Sequence, residues 1–240
     1  AGQLPLQWAE TTLVSDDPAK VLREAAPEDL LLSQLQPEIG QPQQLLEVVS
    51  PYFVPTQAGV DAFAHLRRQG VRVRILTNSL EATDVAVVHA GYEKYRKPLL
   101  QAGIELFEMR SNNPQPVELE DQFKLGSLGS SGTSLHAKTF AIDGQKAFVG
   151  SFNFDPRSAM LNTELGFVID SPALARGIEN AFDKELPRTA YRVRLDDMGK
   201  LYWLEERDGQ TVRHDREPGA TLLQRATVWF ASMLPLEPLL

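Results

Sequence analysis

Cysteine is absent from the 240 residues, so disulfides, thiolate metal sites and a cysteine nucleophile are excluded together. Long apolar runs are missing too: no stretch approaches the ~18 residues that a membrane-spanning helix needs. Positive charge is in short supply. Lys and Arg number 24 against 32 Asp and Glu, a net charge of −8. Non-specific nucleic-acid binding rests on clustered cations, so no nucleic acid is expected as a partner. The opening AGQLPLQWAE has no basic or apolar leader region and no initiator Met, and it reads as the start of a fragment rather than as a signal peptide. Internal repeats and long low-complexity segments are also lacking. What remains is 42% hydrophobic and 23% charged, in a chain long enough for one large or two small folded units.

The apolar patterning reads as α/β. Residues 27–35 suit a helix, and 45–49 (LLEVV) suit a short strand bounded by turn residues. Residues 59–69 carry Val60, Phe63, Ala64 and Leu66 at helical spacing and end at Gly70. A strand at 71–76, a helix over 84–102 closed by Gly103 and a strand at 104–108 follow. Strand–helix–strand–helix–strand at this spacing predicts a mixed, mostly parallel β-sheet flanked by helices. Residues 109–132 are polar, long and rich in Gly, Ser and Pro, as functional loops are. Strands at 135–142, 147–152 and 164–169 and a helix at 173–182 come next. Residues 191–195 and 201–205 pair as a β-hairpin across DDMGK. An amphipathic helix over 221–234 ends the pattern. The expected division is 1–188 and 189–240, the second packing on the first or on a further half.

One stretch carries chemistry. It reads His136-x-Lys138-x4-Asp143-x6-Gly150-Ser151-x-Asn153. This resembles the HKD motif of the phospholipase D superfamily. On a regular strand His136 and Lys138 point to the same side. Asp143 falls at the strand end beside Gly144, where a carboxylate fixes a turn. A neutral imidazole attacks phosphorus and forms a phosphohistidine. Lys138 and Asn153 suit the charge on the non-bridging oxygens, and Ser151 adds a third donor to phosphate. The motif asks for no metal and no cofactor.

The resemblance runs from about residue 13 to 240. SPYFVP (50–55), GVRVRILTNS (70–79), residues 83–108, GSFNFDPRSAMLNTELGFVID (150–170) and REPGATLLQRATVWFASMLPLEPLL (216–240) are similar to the C-terminal half of bacterial cardiolipin synthases of the third type, with relatives of the phosphatidylserine/phosphatidylglycerophosphate synthase kind. The resemblance implies phosphatidyl transfer from a phospholipid, phosphatidylglycerol foremost, at a bacterial membrane with peripheral attachment. It implies that Glu164, in NTE at 162–164, orients the imidazole, with Asp155 as runner-up, and that Asp143 and Gly150 are structural. The family joins two such motifs in one site, one histidine as nucleophile and one as acid. This chain has one complete motif, so a second half or a homodimer partner is implied. Hydrolysis of a phosphodiester and a non-catalytic phosphate-binding half are the competing readings.

Asn78 follows a strand at the edge where α/β sheets place ligands, and Asp84, His89 and Tyr92 lie on the next helix. Together they are candidates for a headgroup pocket, against a capping Asp and a buried His as the plain alternative. Tyr52 and Phe53 read as core in preference to mouth aromatics. Arg67, Arg68, Arg72 and Arg74 cluster, and a solvated edge strand is preferred for them over headgroup contacts. Trp229, Phe230, Met233 and Leu234 give the last helix an apolar face suited to a membrane surface or to the catalytic body.

Overall fold

The structure is a computed structural model and describes residues 7–111, 129–130 and 134–233. Strand β1 (Glu10–Ser15) leads through 3-10 turns at Pro18–Leu22 and Pro27–Asp29 into α1 (Leu31–Ile39). Then β2 (Leu45–Val49), α2 (Thr56–Arg68), β3 (Arg72–Asn78), α3 (Ala86–Gln101) and β4 (Glu105–Met109) alternate. The short strands β5 (Gly129–Ser130) and β6 (Ser134–Leu135) pair with each other. The chain continues through β7 (Thr139–Ile142), β8 (Lys146–Gly150), α4 (Pro156–Met160), β9 (Leu165–Asp170), α5 (Pro172–Asn180), a π-helical turn at Ala181–Glu185 and α6 (Leu186–Thr189). It closes with β10 (Ala190–Leu195), β11 (Leu201–Arg207), β12 (Gln210–His214) and α7 (Leu222–Ser232). Most of the loop expected at 109–132 lies outside the described residues, as does Leu234.

Ten strands make one sheet in the order β1-β9-β8-β7-β2-β3-β4-β10-β11-β12. The expected α/β sheet with flanking helices is present, but its mostly parallel character is corrected. Only β2–β3 and β3–β4 run parallel; every other neighbouring pair in this sheet is antiparallel. The reason is connection length. Only α2 and α3 serve as crossovers between parallel neighbours, which parallel pairing requires. β7 turns into β8 through Asp143-Gly144, and β11 into β12 through Asp208-Gly209, all four residues with positive φ. Asp-Gly with both φ positive matches the strand twist, so each pair closes as a hairpin. The hairpin expected at 191–205 forms, and β12 extends it; Asp196 Oδ1 accepts from Met198 and Lys200 N–H to tie the DDMGK turn.

One sheet face packs on α1, α2 and α3, around Val48, Val73, Ile75, Leu106, Phe140 and Phe148. The other packs on α5 and α6, through Ala141, Ala147, Ala175, Ile178 and Phe182. That second cover stops short. Leu13, Phe167 and Val149 face one another across β1, β9 and β8, and all three stay exposed, with Leu165 two residues along. Helix α7 opens with a capping box between Thr221 and Gln224. It buries Val228 and Ala231 against Leu80 and Ala90, while Leu222, Leu223, Trp229, Phe230 and Met233 remain exposed.

The edge-strand reading of the arginines is also corrected. β3 lies inside the sheet between β2 and β4. Arg74 is 1% exposed and pairs with Glu47 and Asp183, and burial pushes the Glu47 carboxyl up to about 7 against the pull of Arg74. Arg72, nearer the strand end, makes a two-pronged pair with Glu105. Arg67 reaches back from α2 to the Val71 carbonyl at 2.8 Å.

Candidate active site

The carboxyl ends of β2, β3 and β8 and the amino ends of β7 and β9 meet at one edge of the sheet, set by the registers Val49↔Thr139, Val49↔Leu76, Thr139↔Val149 and Gly150↔Gly166. This is the edge where open α/β sheets place ligands. The continuous strand expected at 135–142 is broken there: residues 136–138 are irregular between β6 and β7. His136 and Lys138 therefore do not share the face of a regular strand, contrary to expectation. Asn78 holds the chain just before the break. From the end of β3 its Oδ1 accepts the Leu135 N–H at 2.9 Å, and its amide reaches the Leu135 and Pro51 carbonyls at 3.4 Å. The residue before His136 is thus pinned to a neighbouring strand end.

His136 is exposed, and Lys138 is half-buried with Nζ donating to the His136 carbonyl at 3.0 Å. Burial pushes the Lys138 ammonium pKa down, against the pull of the Glu164, Asp155 and Asp84 carboxylates. The Gly150 N–H donates to the Lys138 carbonyl at 3.2 Å, which brings the second part of the motif alongside the first. Ser151 is exposed and donates its hydroxyl to Glu164 Oε2; Ser158 donates to Glu164 Oε1 at 2.9 Å. Both Glu164 oxygens are therefore engaged by serines. Asn153 turns a buried Oδ1 that takes no hydrogen bond. Asp155 caps α4, accepting the Ser158 N–H at 2.7 Å, and burial raises its pKa.

Asp143 stands away from this edge. Its carboxylate accepts the N–H groups of Gln43, Gln44 and Leu45, each at 2.8 Å, and so fixes the entry to β2. Gly150 lies opposite Gly166 with the Phe148 ring folded against both.

The other four candidates divide. Asp84 is exposed and takes the Tyr52 hydroxyl at 3.1 Å; burial and that bond push Tyr52 up to about 12. Phe53 is core. Asn78, His89 and Tyr92 border a cavity of about 10 Å³ beside Pro51 and Thr83, room for one water at most. His89 is buried and meets Glu217 at 2.9 Å. Arg96 joins the same group, lying over the Tyr92 and Trp203 rings and pairing with Glu108 at 2.9 Å.

Sequence reasoning missed β1, β12 and α4, and with them Asp16, Lys20 and Ser158 around Glu164. The Asp-Asp-Pro at 16–18 and Asp-Pro at 155–156 are turn and cap signals that mark two of these places.

Residues 35–186 match the family described as cardiolipin synthase, PLD-like domain. The chain belongs to that family. Among curated relatives, cardiolipin synthase C of Escherichia coli K12 is 47% identical over 239 residues, covering 100% of this chain and 50% of that protein. A cardiolipin synthase of Oceanobacillus iheyensis is 31% identical over 156 residues, 65% of this chain and 26% of that protein. This PLD-like chain spans about half the length of the first of these relatives. Among solved structures, phosphatidylserine synthase of Haemophilus influenzae superposes with a TM-score of 0.58 at 14% identity, covering 97% of this chain and 48% of that one. The phospholipase D family member Nuc of Salmonella typhimurium gives 0.53 at 18% identity, covering 78% and 99%. Both likenesses establish the PLD-like fold.

Proposed function

We propose that this chain supplies one histidine-bearing half of a phosphatidyltransferase of the cardiolipin synthase type. The 47% identity across the whole chain to a cardiolipin synthase carries the reading. The gathering of Lys138, Ser151, Glu164 and Asp155 at one sheet edge supports it.

His136 is the nucleophile. Its neutral imidazole attacks the phosphorus of a donor such as phosphatidylglycerol; a P–N bond forms and the P–O bond to glycerol breaks. The leaving oxygen takes its proton from the histidine of a second half. A hydroxyl of an acceptor phospholipid then attacks the phosphohistidine, the P–N bond breaks, and that proton returns to the second imidazole. Lys138 and Asn153 hold the non-bridging oxygens, and a half-buried ammonium acts more strongly on phosphate than one in water. The Ser151 hydroxyl, engaged by Glu164 in the resting site, is the third donor. Glu164 orients the imidazole. Asp143 and Gly150 hold the frame. Asp84, with Tyr52, lines the headgroup mouth, and Asn78, His89 and Tyr92 form the wall behind it.

The second half is the remainder of a longer protein or a symmetry copy. The uncovered stripe of Leu13, Phe167 and Val149 includes Val149, two residues before Ser151, and we assign it to that partner. The protein sits peripherally at a bacterial membrane, with the exposed face of α7 toward lipid; no described helix is long and apolar enough to cross a membrane. Residues 1–188 form the catalytic unit and 189–240 an addition to it. The test is transfer from labelled phosphatidylglycerol in mixed micelles, with this chain alone, with the other half, and with His136→Ala in each. Transfer lost in the variant supports the reading. Cardiolipin formation by the variant refutes it, and release of phosphatidic acid without cardiolipin replaces transfer by hydrolysis.

A further inference from the structure

Two buried charges beside the site have no part in the chemistry set out above. Asp16 is 6% exposed and Lys20 is 4% exposed, and they pair at 2.7 Å. A buried ion pair gains little over apolar packing, so the pair is poorly explained by stability alone. Its hydrogen bonds run to the frame of the site. The Asp16 N–H donates to the Glu164 carbonyl at 2.8 Å, and Asp16 Oδ2 accepts the Glu164 N–H at 2.8 Å. Asp16 Oδ1 accepts the Leu31 N–H at 2.8 Å, which anchors the carboxylate to the start of α1. Lys20 Nζ donates to the Ser158 carbonyl at 2.8 Å, and the Ser158 hydroxyl donates to Glu164. Glu164 is thus held at its main chain by Asp16 and at its carboxylate by a serine that Lys20 holds in turn.

We propose that Asp16, Lys20 and Ser158 are positioning residues of the phosphoryl-transfer site, acting through Glu164. The inference rests on Glu164 as the orienting acid. Asp16 and Lys20 precede residues 35–186, so the site's frame extends beyond the segment that defines the family. Glu164 lies just before β9, between the exposed Thr163 and Leu165, where neighbours in sequence do little to fix its side chain. A displacement of about 1 Å in a catalytic frame can cost roughly 100-fold in rate.

The test uses the full-length protein and the labelled-lipid assay, with Lys20→Met, Ser158→Ala, Glu164→Gln and each of the first two combined with Glu164→Gln. Lys20→Met and Ser158→Ala are expected to lower kcat by roughly 10–100-fold with KM within about twofold. Combined with Glu164→Gln, neither lowers kcat further, because the route through Glu164 is already gone. Full kcat in both single variants, or losses that multiply with that of Glu164→Gln, overturns the proposal. Full turnover by Glu164→Gln overturns the orienting role of Glu164 instead. Ser158→Ala keeps the Asp16–Lys20 pair and the Ser158 carbonyl that Lys20 bonds, so it carries the test if Lys20→Met fails to fold.

Discussion

Gly150 lies in the motif, yet it needs no positive φ; what it needs is space. A Cβ built on it lies 2.5 Å from the Leu165 carbonyl oxygen and 2.7 Å from both Gly166 Cα and the Phe148 ring. Two of these are backbone atoms, and the Leu165 carbonyl already accepts the Ser151 N–H at 2.9 Å. Gly150→Ala must therefore push β8 from β9 where they carry Ser151. Overpacking costs about 1–3 kcal/mol and a weakened ladder bond about 1 more, so the loss should be about 2–4 kcal/mol. For a chain of this size that lowers Tm by roughly 5–15 °C. Gly166→Ala offers a control: its Cβ collides with the Phe148 ring first, and Gly150 Cα is 3.1 Å away. Phe148→Leu should relieve Gly166→Ala, but hardly Gly150→Ala, whose nearest obstacle is a carbonyl. Urea unfolding of the singles and doubles measures both couplings. Single variants within 0.5 kcal/mol of wild type, or equal relief at both glycines, would refute the steric account.

Three further expectations follow from named contacts. His136→Ala should abolish the proposed phosphatidyl transfer yet leave stability within about 0.5 kcal/mol, since its ring is exposed; residual turnover, or a large drop in Tm, contradicts this. Asp143→Ala removes the acceptor for three backbone N–H groups and leaves Ala at φ 52°, so urea unfolding should show a loss of about 2–4 kcal/mol. Burial pushes the Glu217 carboxyl up, but Arg96 and His89 outweigh it and hold it at about 2. A value below the ordinary 4.5 means that this carboxylate stabilises the fold above about pH 4.5 and loses the effect as pH falls toward 2. Stability should drop by roughly 2 kcal/mol from this group between pH 5 and 3, and Glu217→Gln should flatten that limb; an unchanged slope counts against it.

The periodic elements were legible because apolar spacing records burial directly: β2, α2, β3, α3 and β4 all stand within a few residues of their sequence positions. Strand direction was not legible. The alternation of β2 to β4 suggested a parallel sheet, while the Asp143-Gly144 and Asp208-Gly209 turns that make the flanks antiparallel are two-residue signals easily outvoted. The motif's residues were named by spacing, but their geometry was not. Leu135, just before the irregular 136–138, is held by Asn78, 57 residues earlier, and no local pattern announces a side chain that bonds so distant a strand end. Asp16 and Lys20 were missed for a similar reason: charged residues in a polar-looking turn give no sign of burial until β1 docks beside β9.

The order of strands has a practical meaning for where this protein can be divided. Residues 35–186 contain β2 to β9 but not β1 or β10 to β12. A chain trimmed to that segment would bare β9 on one flank and β4 on the other, each with its row of unpaired N–H and C=O groups. Open strands of this kind recruit other chains. The added strands at either end therefore act as guards of the sheet, and the smallest soluble version of this protein is expected to be larger than the segment by which its kind is recognised.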